Sequence, residues 1–258
     1  GALVNMRGEL VGINTAILSP SGGNLGIGFA IPTDMARPIL QALLAQGKVV
    51  RGWLGVGIQN VDAPLAEALG MSRPQGVLVT EVGPTTPAAK AGLKRGDVVL
   101  SVDGQAVTST GELRNLVAAA GAGHATSLEI LRDGKKTTLS VTLGQVPGDD
   151  REDTSSLPGV ANPKSSDSLP GLRLDELDPE YRNKLNAPKE LSGVLITGAD
   201  PNRPEGLQGL LPGDVILELD RQPTPTVAAL KAAWSQGKQR SVAVVWRRGR
   251  TLFVVLRH

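Results

Sequence analysis

Side-chain catalysis needs an activated nucleophile, a base to serve it, or a set of metal ligands. This chain is short of all three. It holds no cysteine and two histidines, His124 and His258. His124 lies between a glycine-rich turn and a strand, and His258 is the last residue. Neither has a serine and an aspartate placed to complete a Ser-His-Asp set. No His-Glu-x-x-His run occurs. No catalytic residue is therefore expected in this chain, and no metal or other cofactor. What remains is a set of aliphatic runs punctuated by glycine. The rest is organised around Trp53-Leu54-Gly55-Val56-Gly57-Ile58 and the segment Gly76 to Val107.

These runs read as a mainly β protein with short helices, of α+β type. Val98 to Val102 predicts a strand, and Asp103-Gly104 a tight two-residue hairpin turn, because both residues tolerate positive φ. Pro87 to Gly92 reads as one short helix with proline in its first turn and glycine at its end. Thr110 to Ala120 reads as a longer one, with Leu113, Leu116, Val117 and Ala120 along one apolar face. Ala125 to Leu131 and Thr137 to Leu143 predict strands joined at Asp133-Gly134.

The pattern recurs without a gap. Gly76 falls on Gly193, Pro87 on Pro204, Gly92 on Gly209, Gly96-Asp97 on Gly213-Asp214 and Asp103 on Asp220. A repeat of this length means two copies of one domain. Between them, residues 144–170 are rich in Pro, Ser, Gly and Asp with no apolar period, and read as a flexible linker. The second copy departs in places. Arg221 stands where Gly104 does, which predicts an altered turn.

Composition sets further bounds. The chain of 258 residues is 40 % hydrophobic and 2 % aromatic, so its cores must be aliphatic. Net charge is +2, with Lys and Arg scattered among Asp and Glu, which leaves no footprint for nucleic acid. No apolar run reaches the roughly 18 residues needed to span a bilayer. No signal peptide is seen.

The run PAAKAGLKRGDVVLSVDGQAV, with Trp53-Leu54-Gly55-Val56 before it, resembles the PDZ domain of bacterial proteases. The resemblance implies PDZ-like domains at 51–143 and 171–258. It also implies a mechanism in which a peptide C-terminus adds as a strand along Val56 to Gln59. The amides of Leu54, Gly55 and Val56 would cradle the terminal carboxylate. Ile58, Leu113, Leu116 and Val117 would line an apolar groove, favouring hydrophobic C-terminal residues. Gly55→Glu is then expected to abolish binding with little loss of fold, loop 52–55 being read as exposed. In the second copy the cradle has only Gly171-Leu172-Arg173 to match it, with Arg173 beside the groove, and peptide binding there is expected to be poor.

The first 48 residues carry a second resemblance. GALVNMRGELVGINTAI, followed by SGGNLGIGFAIP, is similar to the end of the protease domain in the HtrA/Deg family of trypsin-like serine endopeptidases. Three short strands and a helix that Thr33 can cap cannot bury a core alone, so 1–48 reads as the remnant of a larger domain, and the resemblance implies that it is the C-terminal remnant of a trypsin-like β-barrel. The nucleophile would lie upstream of Gly1. The resemblance makes Asn14, Thr15, Ala16 and Ile17 an edge strand of the substrate cleft, with Val11, Ile13 and Ile31 as barrel core. It implies a periplasmic enzyme of protein quality control that degrades misfolded proteins, recruits substrates by their C-termini, and assembles as a homotrimer or larger homo-oligomer. This chain alone is expected to be proteolytically inactive. The alternative is a non-enzymatic tandem PDZ adaptor, which gives residues 1–32 no role. A PDZ pair from an intramembrane metalloprotease lacks both its zinc motif and its membrane helix.

Overall fold

The computed structural model describes residues 1–17, 26–146, 167–200, 204, 207, 209–236 and 239–257. It opens with a three-stranded antiparallel sheet of β1 (Ala2–Val4), β2 (Leu10–Ile17) and β3 (Gly28–Pro32), in the order β1-β2-β3, followed by α1 (Thr33–Gln46). This is not a closed barrel. Gly47 stops α1 in the left-handed region at φ 67°. Thr33 is not its cap: Pro32 takes that position and makes no side-chain cap bond. Nor are Val11, Ile13 and Ile31 buried as barrel core. All three are exposed, as are Ile17, Phe29 and the α1 residues Met35, Leu40, Leu43 and Leu44. One sheet and one helix give these side chains nothing to pack under.

The first repeat begins with β4 (Gly52–Trp53), β5 (Val56–Asn60), α2 (Ala63–Ala68), β6 (Val77–Val82), α3 (Pro87–Lys90) and β7 (Val98–Val102). It continues with β8 (Gln105–Ala106), α4 (Thr110–Ala120), β9 (Ala125–Arg132), β10 (Lys135–Thr142) and β11 (Gly144–Gln145). The sheet runs β10-β9-β7-β6-β5, with β8 on β7, and β11 pairs with β4 to close the two ends of the unit together. Its core is aliphatic, with Val77, Val79, Val99, Leu113, Leu128, Ile130 and Val141 almost wholly removed from water. The hairpin turns fall as expected, with Asp103-Gly104 and Asp133-Gly134 all at positive φ. The helix α2 was not anticipated, although Asp62 caps it by accepting from the Leu65 amide at 2.9 Å.

The second repeat contains β12 (Asp167–Leu169), β13 (Leu172–Glu176), α5 (Pro179–Lys184), β14 (Val194–Ala199), β15 (Val215–Leu219), β16 (Gln222–Pro223), α6 (Val227–Ser235), β17 (Arg240–Arg247) and β18 (Arg250–Arg257). Its sheet runs β12-β13-β14-β15-β17-β18, with β16 on β15. Residues 144–145 and 167–169 therefore lie in strands at the two ends of the linker read from composition. Residues 147–166 lie outside the described residues.

One side-chain constellation is built twice. Asp97, 1 % exposed, accepts from Arg132 through Nε at 2.7 Å and Nη2 at 2.6 Å, and from the Lys94 amide at 2.7 Å. Arg132 Nη2 also donates to the Gly92 carbonyl at 2.8 Å. Asp214, Arg247, Leu211 and Gly209 repeat these bonds at 2.6 to 2.8 Å. Hydrogen bonding to the aspartate raises the pKa of each guanidinium. The pair ties the end of the helix turn to the sheet in each copy.

The expected change at Arg221 does not occur. Asp220 and Arg221 keep the turn of Asp103-Gly104, at φ 48° and 66°. A side chain in that conformation is strained. Arg221→Gly should raise stability by about 1 kcal/mol in urea unfolding. The exposed Arg221–Asp133 pair at 2.8 Å, which the substitution removes, contributes little against this.

The two repeats touch. Phe253 and Val255 of β18 pack on a cluster of Leu65, Leu78 and Val98 in the first repeat. The Gln59 side chain donates to the Phe253 carbonyl at 3.0 Å and accepts from its amide at 2.9 Å. Ion pairs join Arg95 to Glu218 and Arg240 to Glu67.

Candidate functional site: a groove between strand β5 and helix α4

A groove of about 900 Å³ runs between β5 and α4. One side of β5 pairs with β6, and β5 ends the sheet, so its other edge carries no ladder among the described residues. Such an edge offers a row of main-chain donors and acceptors. Val56 and Ile58 pack toward the core beside α4, while Gly57 lies over Thr80 and Glu81 and Gln59 is held to β18. The alternation is that of any strand.

The opposite wall stands where the sequence placed it. Ser109 caps α4 by accepting from the Glu112 amide at 3.2 Å, and Glu112 accepts from the Thr108 amide at 2.7 Å and hydroxyl at 2.9 Å. The bond from the Thr108 amide is the main cause that holds the Glu112 carboxyl below its ordinary range. Leu113 and Val117 line the groove, together with Arg114 and Ala118. Leu116 does not line it; it is half-buried against the core. The apolar stripe is wider than the groove, so spacing alone could not separate wall from core.

The loop at the head of the groove is shaped by two glycines. A Cβ on Gly52 would stand 2.2 Å from the Val117 carbonyl oxygen of α4. Gly55 has φ +77°, and a Cβ there would stand 2.3 Å from Thr86 Cγ2. Gly52 and Leu54 are buried and Trp53 and Gly55 are half-buried, so loop 52–55 is not the exposed loop expected. Gly55→Glu would strain the fold as well as the groove.

The direction of the loop's amides follows from its carbonyls. In a trans peptide the N–H points opposite to the carbonyl of the preceding residue. The Leu54 carbonyl accepts from the Ala88 amide at 3.0 Å, and the Gly55 carbonyl from the Gly83 amide at 3.1 Å. Both face the segment that runs from Gly83, just after β6, into α3 at Ala88. The amides of Gly55 and Val56 therefore face away from it, on the groove side. Leu54 itself is 4 % exposed and belongs to the core. Thr86, which sequence reading did not single out, holds the loop's floor. It accepts from Ala89 N at 3.3 Å and donates its hydroxyl to the Gly83 carbonyl at 2.8 Å.

The matching edge in the second repeat is differently disposed. Leu172, Arg173 and Leu174 pair with Ala199, Gly198 and Ile196, as Val56, Gly57 and Ile58 pair with Val82, Glu81 and Val79. Arg173 thus takes the place of Gly57 and lies across Gly198, on the face opposite Leu172 and Leu174. The free edge of β13 is taken by β12, with Asp167 opposite Arg173 and Leu169 opposite Leu172.

The other candidates are dispersed. Asn14, Thr15, Ala16 and Ile17 lie on β2, the middle strand of its sheet rather than an edge. β3 pairs with Asn14, Ala16 and Ile17, and the Asn14 amide also donates to the Gly1 carbonyl at 2.8 Å. Beyond Asn14 the side facing β1 has no register partner. His124 stands 3.8 Å from Asp103, too far for a hydrogen bond, and Ser127 meets that aspartate through its backbone amide at 2.7 Å. His258 lies outside the described residues.

Comparison with known proteins agrees with this geometry. The family model described as PDZ domain matches residues 52–143. The whole chain is 40% identical to a probable periplasmic serine endoprotease, DegP-like, of Pseudomonas fluorescens, covering 53% of that protein. It is 35% identical to a protein of the same description from Chlamydia muridarum, covering 50% of it. The chain thus spans about half the length of the curated relatives it matches. Among solved structures, the HtrA-type protease AlgW with tripeptide is 44% identical, with a TM-score of 0.50, over 58% of this chain and 50% of that one. No helix among the described residues is long and apolar enough to cross a membrane. A PDZ-domain match, an HtrA-type structural neighbour and DegP-like relatives matched along the whole of this chain make it similar to about half of an HtrA/DegP-like serine endoprotease.

Proposed function

We propose that this chain is the substrate-recognition part of a periplasmic HtrA-type serine endopeptidase that degrades misfolded proteins. Its groove takes peptide C-termini by adding them as a strand to β5. The observation that carries the reading is the pair of inward carbonyls at Leu54 and Gly55. They leave the Gly55 and Val56 amides on the groove side, at the head of an apolar channel walled by Ile58, Leu113 and Val117. A terminal carboxylate there accepts two charge-assisted hydrogen bonds. The apolar residue before it fills the channel, and main-chain bonds to β5 add affinity that tolerates varied sequence.

The same reading divides the chain into the end of a trypsin-like domain at 1–48, a PDZ domain at 51–143 and a second PDZ-like domain at 171–258. The exposed apolar side chains of β1 to β3 and α1 support the first of these, since a second protein layer is what such a surface packs against. Asn14 to Ile17 would then border the cleft. The parent would work as a homo-oligomer, with the triad outside this chain. The second repeat serves contacts rather than peptide termini, its edge being taken by β12.

Calorimetric titration tests the reading. A short peptide with a free hydrophobic C-terminus should bind, and its amidated form about 100-fold more weakly, equivalent to roughly 2.7 kcal/mol. Equal affinity for the two forms would remove the cradle. Casein incubated with the same preparation should stay intact. Turnover blocked by a serine-directed inhibitor would place the nucleophile inside this chain.

A further inference from the structure

The groove has a wall that comes from the second repeat. Gly249, Arg250, Thr251 and Leu252, at the tip of the β17–β18 hairpin, line it beside Gly57, Thr80 and Glu81. The hairpin is held there by the paired bonds between Gln59 and Phe253 and by the packing of Phe253 and Val255 on Leu78. It stands on the outer face of β5, opposite the face that Val56 and Ile58 present to the core.

A peptide added to β5 alternates as β5 does. Its last and third-from-last side chains point toward α4. Its penultimate and fourth-from-last side chains point to the face of Gly57 and Gln59, where the hairpin stands. Among the described residues, the charged ones lining the groove are Arg51, Arg114 and Arg250 against Glu81, a balance of three positive to one negative. Glu81 and Arg250 are the two of these on the outer wall, and Arg250 is exposed at its rim.

We infer that the two repeats form one composite peptide site. In it the β17–β18 hairpin reads the penultimate and fourth-from-last residues of the bound C-terminus, and Arg250 selects acidic side chains there. The inference rests on the reading of the groove as a C-terminal peptide site, and specifies the peptide class.

The test uses the full chain and fluorescence anisotropy with labelled peptides sharing one hydrophobic C-terminal residue. The two reading positions carry Glu, Lys or Ala. The unmodified chain should prefer the Glu peptide to the Lys peptide by about fivefold at low salt, the scale of an exposed charge pair, with the preference shrinking as salt rises. Arg250→Glu should invert it. Phe253→Ala, which loosens the hairpin's seat without changing charge, should bring the ratio toward unity. An unchanged Glu-to-Lys ratio in Arg250→Glu overturns the inference. A ratio that survives Phe253→Ala assigns the selection to Arg51 and Arg114, and also overturns it. The Ala peptide, free against amidated on the unmodified chain, tests the groove separately. If it binds only with a free carboxylate while the ratio ignores Arg250, the groove stands and the composite wall fails.

Discussion

Asp97→Ala should destabilise the first repeat by about 4 kcal/mol, and urea unfolding should show it as an early, separate transition. The carboxylate is 1 % exposed and accepts from Arg132 and from the Lys94 amide. Alanine leaves a partly buried guanidinium without its counter-charge and an amide without an acceptor. Breaking a buried pair from one side costs far more than the pair's net contribution, because the remaining charge stays desolvated. The bond from Arg132 to the Gly92 carbonyl is then all that ties this arginine to the turn after α3. With domains stable by only about 5–15 kcal/mol, such a loss takes a large share. Asp214→Ala should act alike on the second repeat, through Arg247. A loss below about 1 kcal/mol in both would show that the two pairs are interchangeable with apolar packing.

Gly52→Ala should have the largest effect on binding for the smallest change in chemistry. The added methyl would stand 2.2 Å from the Val117 carbonyl oxygen and 2.8 Å from Leu143 Cδ1. The first contact is backbone of α4 and cannot turn aside as a side-chain tip does. The helix must shift outward, which costs about 2–3 kcal/mol as overpacking does. That shift moves Leu113 and Val117 away from β5, and peptide affinity should fall about tenfold or more. The two readouts separate the causes. If stability falls and affinity at a temperature well below unfolding does not, the groove does not depend on the seating of α4. Gly55 would be a poorer probe, since its positive φ and the nearness of Thr86 mix loop strain with loss of the cradle.

Local chemistry made much of this legible in the sequence. Asp103-Gly104 and Asp133-Gly134 could be read as hairpin turns because few residue pairs tolerate two positive φ values. The span of α4 was readable because its cap and apolar spacing agree. The repeat itself was visible in the sequence, and the two copies share the strand orders β10-β9-β7-β6-β5 and β18-β17-β15-β14-β13. Long-range pairing was not legible. Gly96-Asp97 and Gly213-Asp214 are visible as a repeated pair, but their arginine partners lie across the sheet, at a distance no local pattern encodes. Arg221 shows the converse: the turn is fixed by its flanking strands, and propensity at one position gives way. Exposure at 1–48 followed in part from the sequence, since three short strands and a helix are too few to bury a core, but the apolar pattern of Val11, Ile13 and Ile31 states what a strand would bury and not which partner layer is there. The Arg247 to Arg250 hairpin turn could be read from the sequence, but its place at the groove's far wall could not, because Gln59 and Phe253 meet only through the docking of the two repeats.

The seat of Phe253 on Gln59 makes docking and ligand binding two sides of one equilibrium. Linkage is reciprocal: whatever factor a ligand gains from the docked arrangement, the docked arrangement gains from the ligand. A fivefold preference read by the hairpin is thus also a fivefold bias on whether the repeats are joined or apart. An acidic C-terminus would therefore act as a clamp on the orientation of the second repeat. Whatever loosens that orientation would return the groove to indifference between charges.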